Sequence, residues 1–169
     1  MLRDDCRMIK KIIILILLLP WLAFAGDLLK ADSVLVKKHE KRLYLMNNKK
    51  PFKAYHIALG ANSKGPKRKA GDERTPEGTY ILDYKNSDSD FYKSIHISYP
   101  NEQDIKKAKD MGVVPGGDIM IHGQKNGSKN FSRIQRYVNW TDGCIAVTNA
   151  EMDEIWTLVD VGTPITIEP

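Results

Sequence analysis

The sequence predicts a mainly β domain of sandwich-like build carrying two short helices. Polarity alternates with period two from Ser33 to Leu59, further short apolar runs are bounded by turn residues, and only two segments have helical caps and spacing. Residues 1–25 stand outside this pattern and read as a secretory signal peptide. Arg7, Lys10 and Lys11 precede an apolar run from Ile12 to Leu19, and Ala23-Phe24-Ala25 offers a small-x-small cleavage site. A membrane span needs about 20 apolar residues, and Pro20 interrupts this run, so export with cleavage before Gly26 is expected rather than a retained anchor. Met8 offers an alternative start that would omit Cys6. Residues 26–169 then remain, 144 in number, enough for a single domain and short for two. Losing four basic and two acidic residues with the leader takes the net charge from +5 to +3. Such a charge is ordinary for a soluble protein; a monomer with no nucleic-acid partner is expected.

In chain order, Val34 and Val36, then Leu43 and Leu45, then Phe52, Ala54, His56 and Ala58 mark the apolar sides of an antiparallel meander. Its turns fall at Lys38-His39-Glu40-Lys41 and at Asn47-Asn48-Lys49. Gly60 to Gly78, with four glycines and two prolines, is expected to be a surface loop, its Lys67-Arg68-Lys69 cluster solvated. Short strands are expected at Thr79 to Tyr84, Ile95 to Tyr99, Ile119 to His122 and Cys144 to Val147. A polar helix from Asp104 to Met111 has Asn101 as its cap and Gly112 as its stop. In the second helix Thr148 and Glu151 have capping-box spacing, and Met152, Ile155, Trp156 and Val159 share one face. That stripe makes Trp156 a core residue rather than a platform for a sugar. Gly162 and Pro164 turn the chain into a closing strand from Ile165 to Ile167.

With the leader removed, Cys144 is the one thiol in an oxidising compartment, without an intramolecular partner. Cys6 precedes the apolar run and is therefore no lipid-attachment cysteine. Cys144 follows a polar turn, Trp140-Thr141-Asp142-Gly143, and opens an apolar strand. Gly143 lets the backbone approach a substrate closely and aim successive N–H groups at one point. A thiol becomes a useful nucleophile when an imidazole or aligned peptide dipoles raise its thiolate fraction; the alternative is a small buried hydrophobe. All four histidines precede the cysteine. His122 ends an apolar run before Gly123, where its ring emerges at a strand end and can serve as a base. His96, between Ile95 and Ile97, either lines a site or sits satisfied near the surface; His39 and His56 suggest no role. The chain has no close Cys or His pair of the kind zinc requires, so neither metal nor cofactor is expected.

The segments Ile119-Met120-Ile121-His122-Gly123 and Thr141-Asp142-Gly143-Cys144-Ile145, with 22 residues from histidine to cysteine, resemble the active-site motif of the L,D-transpeptidase (YkuD-type) catalytic domain. Gly71-Asp72-Glu73-Arg74-Thr75-Pro76-Glu77-Gly78 resembles that family's Thr-Pro-x-Gly segment. His96-Ile97-Ser98-Tyr99-Pro100-Asn101 and Pro115-Gly116-Gly117-Asp118 resemble a subgroup of short, YafK-like members. The resemblance runs from about Val34 to Ile167 and implies a sandwich-like catalytic domain acting on peptidoglycan stem peptides in the periplasm or cell wall. It implies that Cys144 attacks the carbonyl between the third residue, a diamino acid, and a terminal D-amino acid, giving a thioester. His122 would take the thiol proton and then activate the acceptor, an amine or a wall-attached protein. The N–H groups of Gly143 and Cys144 would hold the oxyanion, the Gly123 carbonyl would orient the imidazole, and Thr141, Asp142, His96 and Tyr99 would contact substrate.

The chain departs from the common Ser-His-Gly-Cys pattern, which is followed two places later by Arg or Asn. Here Asp142 precedes Gly143, and Ala146 stands where that basic or amide group is usual. The acidic neighbour raises the thiol's pKa and makes the base more necessary. The loss at 146 removes a carboxylate-holding group, which leaves hydrolysis of the acyl-enzyme, trimming stems or releasing wall-linked protein, as the runner-up to transpeptidation. A non-catalytic wall-binding module is a lower alternative. A viral-type cysteine protease, which shares the order histidine then cysteine, lacks support because no glycine follows Cys144.

Overall fold

The computed structural model describes residues 28–127 and 138–169. The expected signal peptide at 1–25 lies outside the described residues. Eight strands and two helices follow in the order β1 (Ser33–Lys37), β2 (Arg42–Asn47), β3 (Lys50–His56), β4 (Gly78–Ser89), β5 (Tyr92–Ile97), α1 (Glu102–Asp110), β6 (Met120–His122), β7 (Ile145–Ala146), α2 (Asn149–Leu158) and β8 (Thr163–Glu168). The strands form one sheet in the order β3-β2-β1-β8-β4-β5-β6-β7. Pairing is antiparallel except at β1–β8 and β6–β7. The chain just after β3 returns to the opposite edge, with Ala58 bridged to Ala146 and Gly60 to Thr141. The sheet therefore curls until its two edges share hydrogen bonds, and β7 lies at that seam. Mainly β architecture with two short helices is what the alternation predicted.

Local chemistry accounts for most of the elements. The β2–β3 turn places Asn48 and Lys49 at φ 50° and 63°, the pair of positive values a two-residue hairpin of matching twist requires. Asn101 accepts from the Gln103 and Asp104 amides while Asp104 reaches back to the Asn101 N–H, so α1 begins at Glu102, two residues ahead of expectation. Thr148 and Glu151 form the same reciprocal pair at α2. Met152, Ile155 and Val159 are fully buried against the sheet. Trp156 packs partly against that core while its other face meets the Lys85 ammonium, 5.2 Å from the ring centroid.

Three expectations are corrected. On β3 the inward residue is Tyr55, followed by Ile57, whereas Ala54 is exposed and Phe52 and His56 are only partly covered. A register shift at Leu45/Met46 sets the face, turning Lys53 and Tyr55 toward α2, where both reach Glu154. The strand expected to end at Tyr84 continues to Ser89, because β5 pairs with it as far as Tyr92. Its polar stretch Lys85–Ser89 hides the strand from a hydrophobic pattern, and partner pairing overrides weak local preference. Lys67 is not solvated: its ammonium is buried and paired with Asp72 at 2.9 Å, although Arg68 and Lys69 are exposed. The Asp72 carboxylate also accepts the Arg68, Lys69 and Arg74 amides, so this loop is tied to itself rather than loose.

Candidate active site

The site begins where β6 and β7 run parallel. Ile121 stands opposite Ile145 and His122 opposite Ala146, and Ser94 of β5 is the other neighbour of His122. With alternating sides, Ile95, Ile121 and Ile145 enter the core while Ser94, Met120 and His122 share the opposite face. Behind His122, Val147 donates its amide to the His122 carbonyl at 3.0 Å. Asn149, the first residue of α2, accepts the Gln124 amide at 2.8 Å. These bonds hold the strand end and the turn that follows it.

His122 is 4% exposed. Its Nδ1 lies 2.7 Å from the Gly123 carbonyl oxygen. A carbonyl only accepts, so the proton sits on Nδ1, and Nε2 is left with its lone pair. Phe91 and Trp140 pack on the ring at centroid distances of 4.6 and 5.8 Å. Burial lowers the imidazole below its ordinary value, with the Gly123 bond opposing, so the neutral, proton-accepting form prevails at neutral pH.

Cys144 is partly exposed. Its Sγ is 3.4 Å from the Met120 amide nitrogen, which donates to it, and 3.5 Å from the Asp118 carbonyl oxygen. Burial raises the thiol above its usual range; the Met120 N–H works against this, and the charges of Asp142 and Asp118 add to it. The resting group is a thiol, which needs a base to become a nucleophile.

The turn before Cys144 depends on two features. Gly143 has φ +128°, and a Cβ there would stand 2.6 Å from the Arg74 carbonyl oxygen, so the Thr-Pro segment packs directly beneath it. Thr75 is fully buried and accepts the Gly60 amide at 3.1 Å. The segment expected to be a surface loop is thus, at this end, the bed of the turn that carries Cys144. Thr141 Oγ1 donates to the Cys144 carbonyl at 2.7 Å and accepts the Gly143 N–H at 3.2 Å. Of the two amides expected to face an oxyanion, Gly143's is therefore engaged within the turn.

His122, Cys144, Thr141 and Asp142 line one cavity of about 460 Å³. His96 and Tyr99 do not. His96 shares a face with Ser94 but stands two residues farther along β5, where Asp83 holds its Nδ1 at 2.6 Å and Tyr84 stacks on it. Tyr99 is buried, its hydroxyl bonded to the Pro115 carbonyl at 3.0 Å. The cavity instead acquires Asp88, Asp90 and Phe91 from the β4–β5 hairpin and Asp118 from the loop before β6. Sequence reasoning missed these because no motif joins them to the cysteine; the one visible sign was the acidic run from Asp88 to Asp90. Among the described residues, no three His, Cys, Asp or Glu side chains are placed to hold a metal ion.

A family model of the L,D-transpeptidase catalytic domain (YkuD) matches residues 31–167. The chain belongs to that family. L,D-transpeptidases of this type are cysteine-dependent and act on peptidoglycan peptides in the periplasm or cell wall. The chain is 28% identical over 172 residues to YafK of Escherichia coli K12, named as a candidate L,D-transpeptidase, with 88% of this chain and 62% of that protein aligned. Among solved structures, the helical cell shape determining protein Pgp2 of Campylobacter jejuni superposes with a TM-score of 0.59 at 28% identity, over 80% of this chain and 46% of that one. The L,D-transpeptidase of Xylanimonas cellulosilytica shares the fold, with a TM-score of 0.53 at 15% identity over 83% and 62% of the two chains. The chain thus spans less than two thirds of the length of these relatives. Among the described residues, no helix is long and apolar enough to cross a membrane.

Proposed function

We propose that the protein is exported by residues 1–25 and acts as a peptidoglycan L,D-transpeptidase with Cys144 as nucleophile and His122 as base. The observation that carries this reading is that a neutral imidazole, anchored through Nδ1, and a partly exposed thiol line the same cavity. His122 Nε2 takes the thiol proton as Sγ attacks the carbonyl carbon between the third residue of a stem tetrapeptide and its terminal D-amino acid. The Cys144 N–H stabilises the oxyanion, joined by the Gly143 N–H when it exchanges Thr141 Oγ1 for the new charge. As the C–N bond breaks, the imidazolium protonates the departing amine and a thioester remains. An amine from another stem or from a wall-attached protein then gives its proton to Nε2, attacks the thioester and expels Cys144, which recovers its proton.

Hydrolysis of the same thioester is the second reading, favoured by position 146. Ala146 is buried and exchanges both of its backbone hydrogen bonds with Ala58. No basic or amide side chain from that position lies in the cavity to hold a substrate carboxylate. Purified protein incubated with disaccharide tetrapeptide separates the two by mass spectrometry: cross-linked dimers mean transpeptidation, tripeptide monomers mean hydrolysis. An intact-mass adduct with a carbapenem on the native chain and none on Cys144→Ala tests the nucleophile. Equal adducts on both, or on neither, would defeat the assignment.

A further inference from the structure

Lys67 carries a buried ammonium that the acyl-transfer steps leave unused. It donates to Asp72 Oδ1 at 2.9 Å and to the Lys69 carbonyl at 3.2 Å, and the side chains of Lys67 and Asp72 are both covered. An ion pair taken out of water adds little net stability, because desolvation offsets the attraction. A pair placed here therefore calls for a reason beyond stability, and its surroundings supply one. Asp72 also accepts the Arg68, Lys69 and Arg74 amides, and the Arg74 carbonyl is the group packed beneath Gly143. On the other side, Gly116 lies against Lys67: a Cβ there would stand 3.4 Å from Lys67 Cε and 3.1 Å from the Ala70 Cα. The Ala70 amide donates to the Val114 carbonyl at 2.8 Å. That second segment runs on to Asp118, whose carbonyl oxygen is 3.5 Å from Cys144 Sγ, and to Met120, whose amide donates to the sulfur. The pair is thus joined to Cys144 twice, through 72–74 to its turn and through 114–118 to its sulfur.

We propose that Lys67 is a positioning residue for Cys144: its buried ammonium holds the 72–74 and 114–118 segments against the turn and the sulfur, and sets a fixed positive charge behind a site whose wall is acidic. The proposal rests on reading Cys144 as the nucleophile. Lys67 does not line the cavity, so it acts through the protein rather than on substrate. The charged groups that face the thiol are Asp142 of its own turn, Asp118 of the loop before β6, and Lys67. Asp88 and Asp90 of the β4–β5 hairpin line the same cavity, and His122 is held neutral by burial. Burial, the largest influence, favours the thiol, as do Asp142 and Asp118; the Met120 N–H and the Lys67 charge favour the thiolate. With the ammonium gone, Asp72 keeps its three amides and the aspartates act on the sulfur without that opposition. His122 then has a harder proton to remove.

The test varies the charge and the packing separately. Lys67→Gln removes the charge but can still donate to Asp72, Lys67→Met removes both, and Lys67→Arg keeps the charge. Lys38→Met is the matched control, since it deletes another buried ammonium bonded to the same stretch of chain, at the Gly65 and Thr75 carbonyls and Glu77. Alkylation of Cys144 by iodoacetamide is followed on the full chain by mass spectrometry of the Cys144 peptide across pH. At about pH 8 the Lys67→Gln and Lys67→Met rates should each be about threefold below native, the fall given by about half a pKa unit. The gap should narrow toward about pH 10, as ionisation ceases to limit the rate. Lys67→Arg should follow the native profile, and Lys38→Met should melt at a lower temperature without changing the profile's shape. A Lys67→Gln profile identical to native would overturn the proposal. So would a loss equal at every pH, or one that Lys38→Met reproduces, because either marks a general loosening of the loop.

Iodoacetamide needs no acyl transfer. If the Lys67 variants shift alkylation as expected while a carbapenem acylates neither them nor the native chain, the positioning role stands and the acyl-transfer reading falls.

Discussion

Replacing Gly143 by alanine isolates the most constrained point of the turn before Cys144. The substitution meets two penalties. A side chain at φ +128° occupies a region left almost entirely to glycine, a strain of about 1–3 kcal/mol. The new methyl would also stand 2.6 Å from the Arg74 carbonyl oxygen and 3.1 Å from Ile119 Cδ1, and displacing packed backbone costs about 1–3 kcal/mol more. Together these reach about 4 kcal/mol, within the 5–15 kcal/mol typical of a domain, so the variant should fold at 25 °C. At roughly 4 °C per kcal/mol for a domain of this size, its melting temperature should drop about 15 °C. Gly71→Ala is the matched control: its φ is +71° but a Cβ there meets nothing within 4 Å, so only the backbone strain of about 1–2 kcal/mol applies. Thermal unfolding by circular dichroism, with carbapenem acylation followed by intact mass, reads both effects. A Gly143→Ala protein that melts within about 2 °C of Gly71→Ala, or acylates at the native rate, would refute the contact between the Thr-Pro segment and the turn as the device that positions the thiol.

Further outcomes follow from the buried groups. Because burial raises the Cys144 thiol, its alkylation by iodoacetamide should still be climbing at about pH 9; a plateau below pH 7 would instead reveal a resting thiolate–imidazolium pair. His122 is lowered in the fold by burial, so the unfolded chain binds the proton more readily. The urea midpoint should therefore fall as pH drops from the ordinary histidine value of 6.5 toward the lower folded one. His122→Gln should lose that component, and an identical pH dependence in both proteins would contradict it. Lys38→Met removes a buried ammonium bonded to the Gly65 carbonyl at 2.7 Å, the Thr75 carbonyl at 3.1 Å and Glu77 at 2.7 Å. It should cost about 3 kcal/mol in urea unfolding, because Glu77 is left with an unpaired charge in a largely covered place; a loss under about 1 kcal/mol would show that water replaces the lysine. Thr148→Ala breaks the α2 capping box and should cost about 1 kcal/mol, visible as a small fall in melting temperature, which an unchanged value would contradict.

Legibility in the sequence followed the range of the interactions. The helix caps were readable because Asn101 with Asp104, and Thr148 with Glu151, act across three residues. The strands at β1, β2 and β8 were readable from alternation alone. The face of β3 was not, since one register shift decides which side is inward. The far end of β4 was not either, its strand character arising from pairing with β5. Lys67 looked like part of a solvated basic run until Asp72, five residues on, folded back onto it.

By itself the sequence determined which groups are available for chemistry: one thiol after a glycine turn, one imidazole at the end of an apolar strand, and the spacing that marks the family. Those properties belong to residue type and to neighbours a few places away. Only the tertiary structure decided that the Gly143 amide is spent on Thr141, that His96 is diverted to Asp83, and that aspartates from three separate segments surround the thiol. The physical reason is that each of these depends on sheet register and on the curl that joins β7 to the chain after β3. Both are set by packing summed over the whole core, which no local stretch of residues encodes.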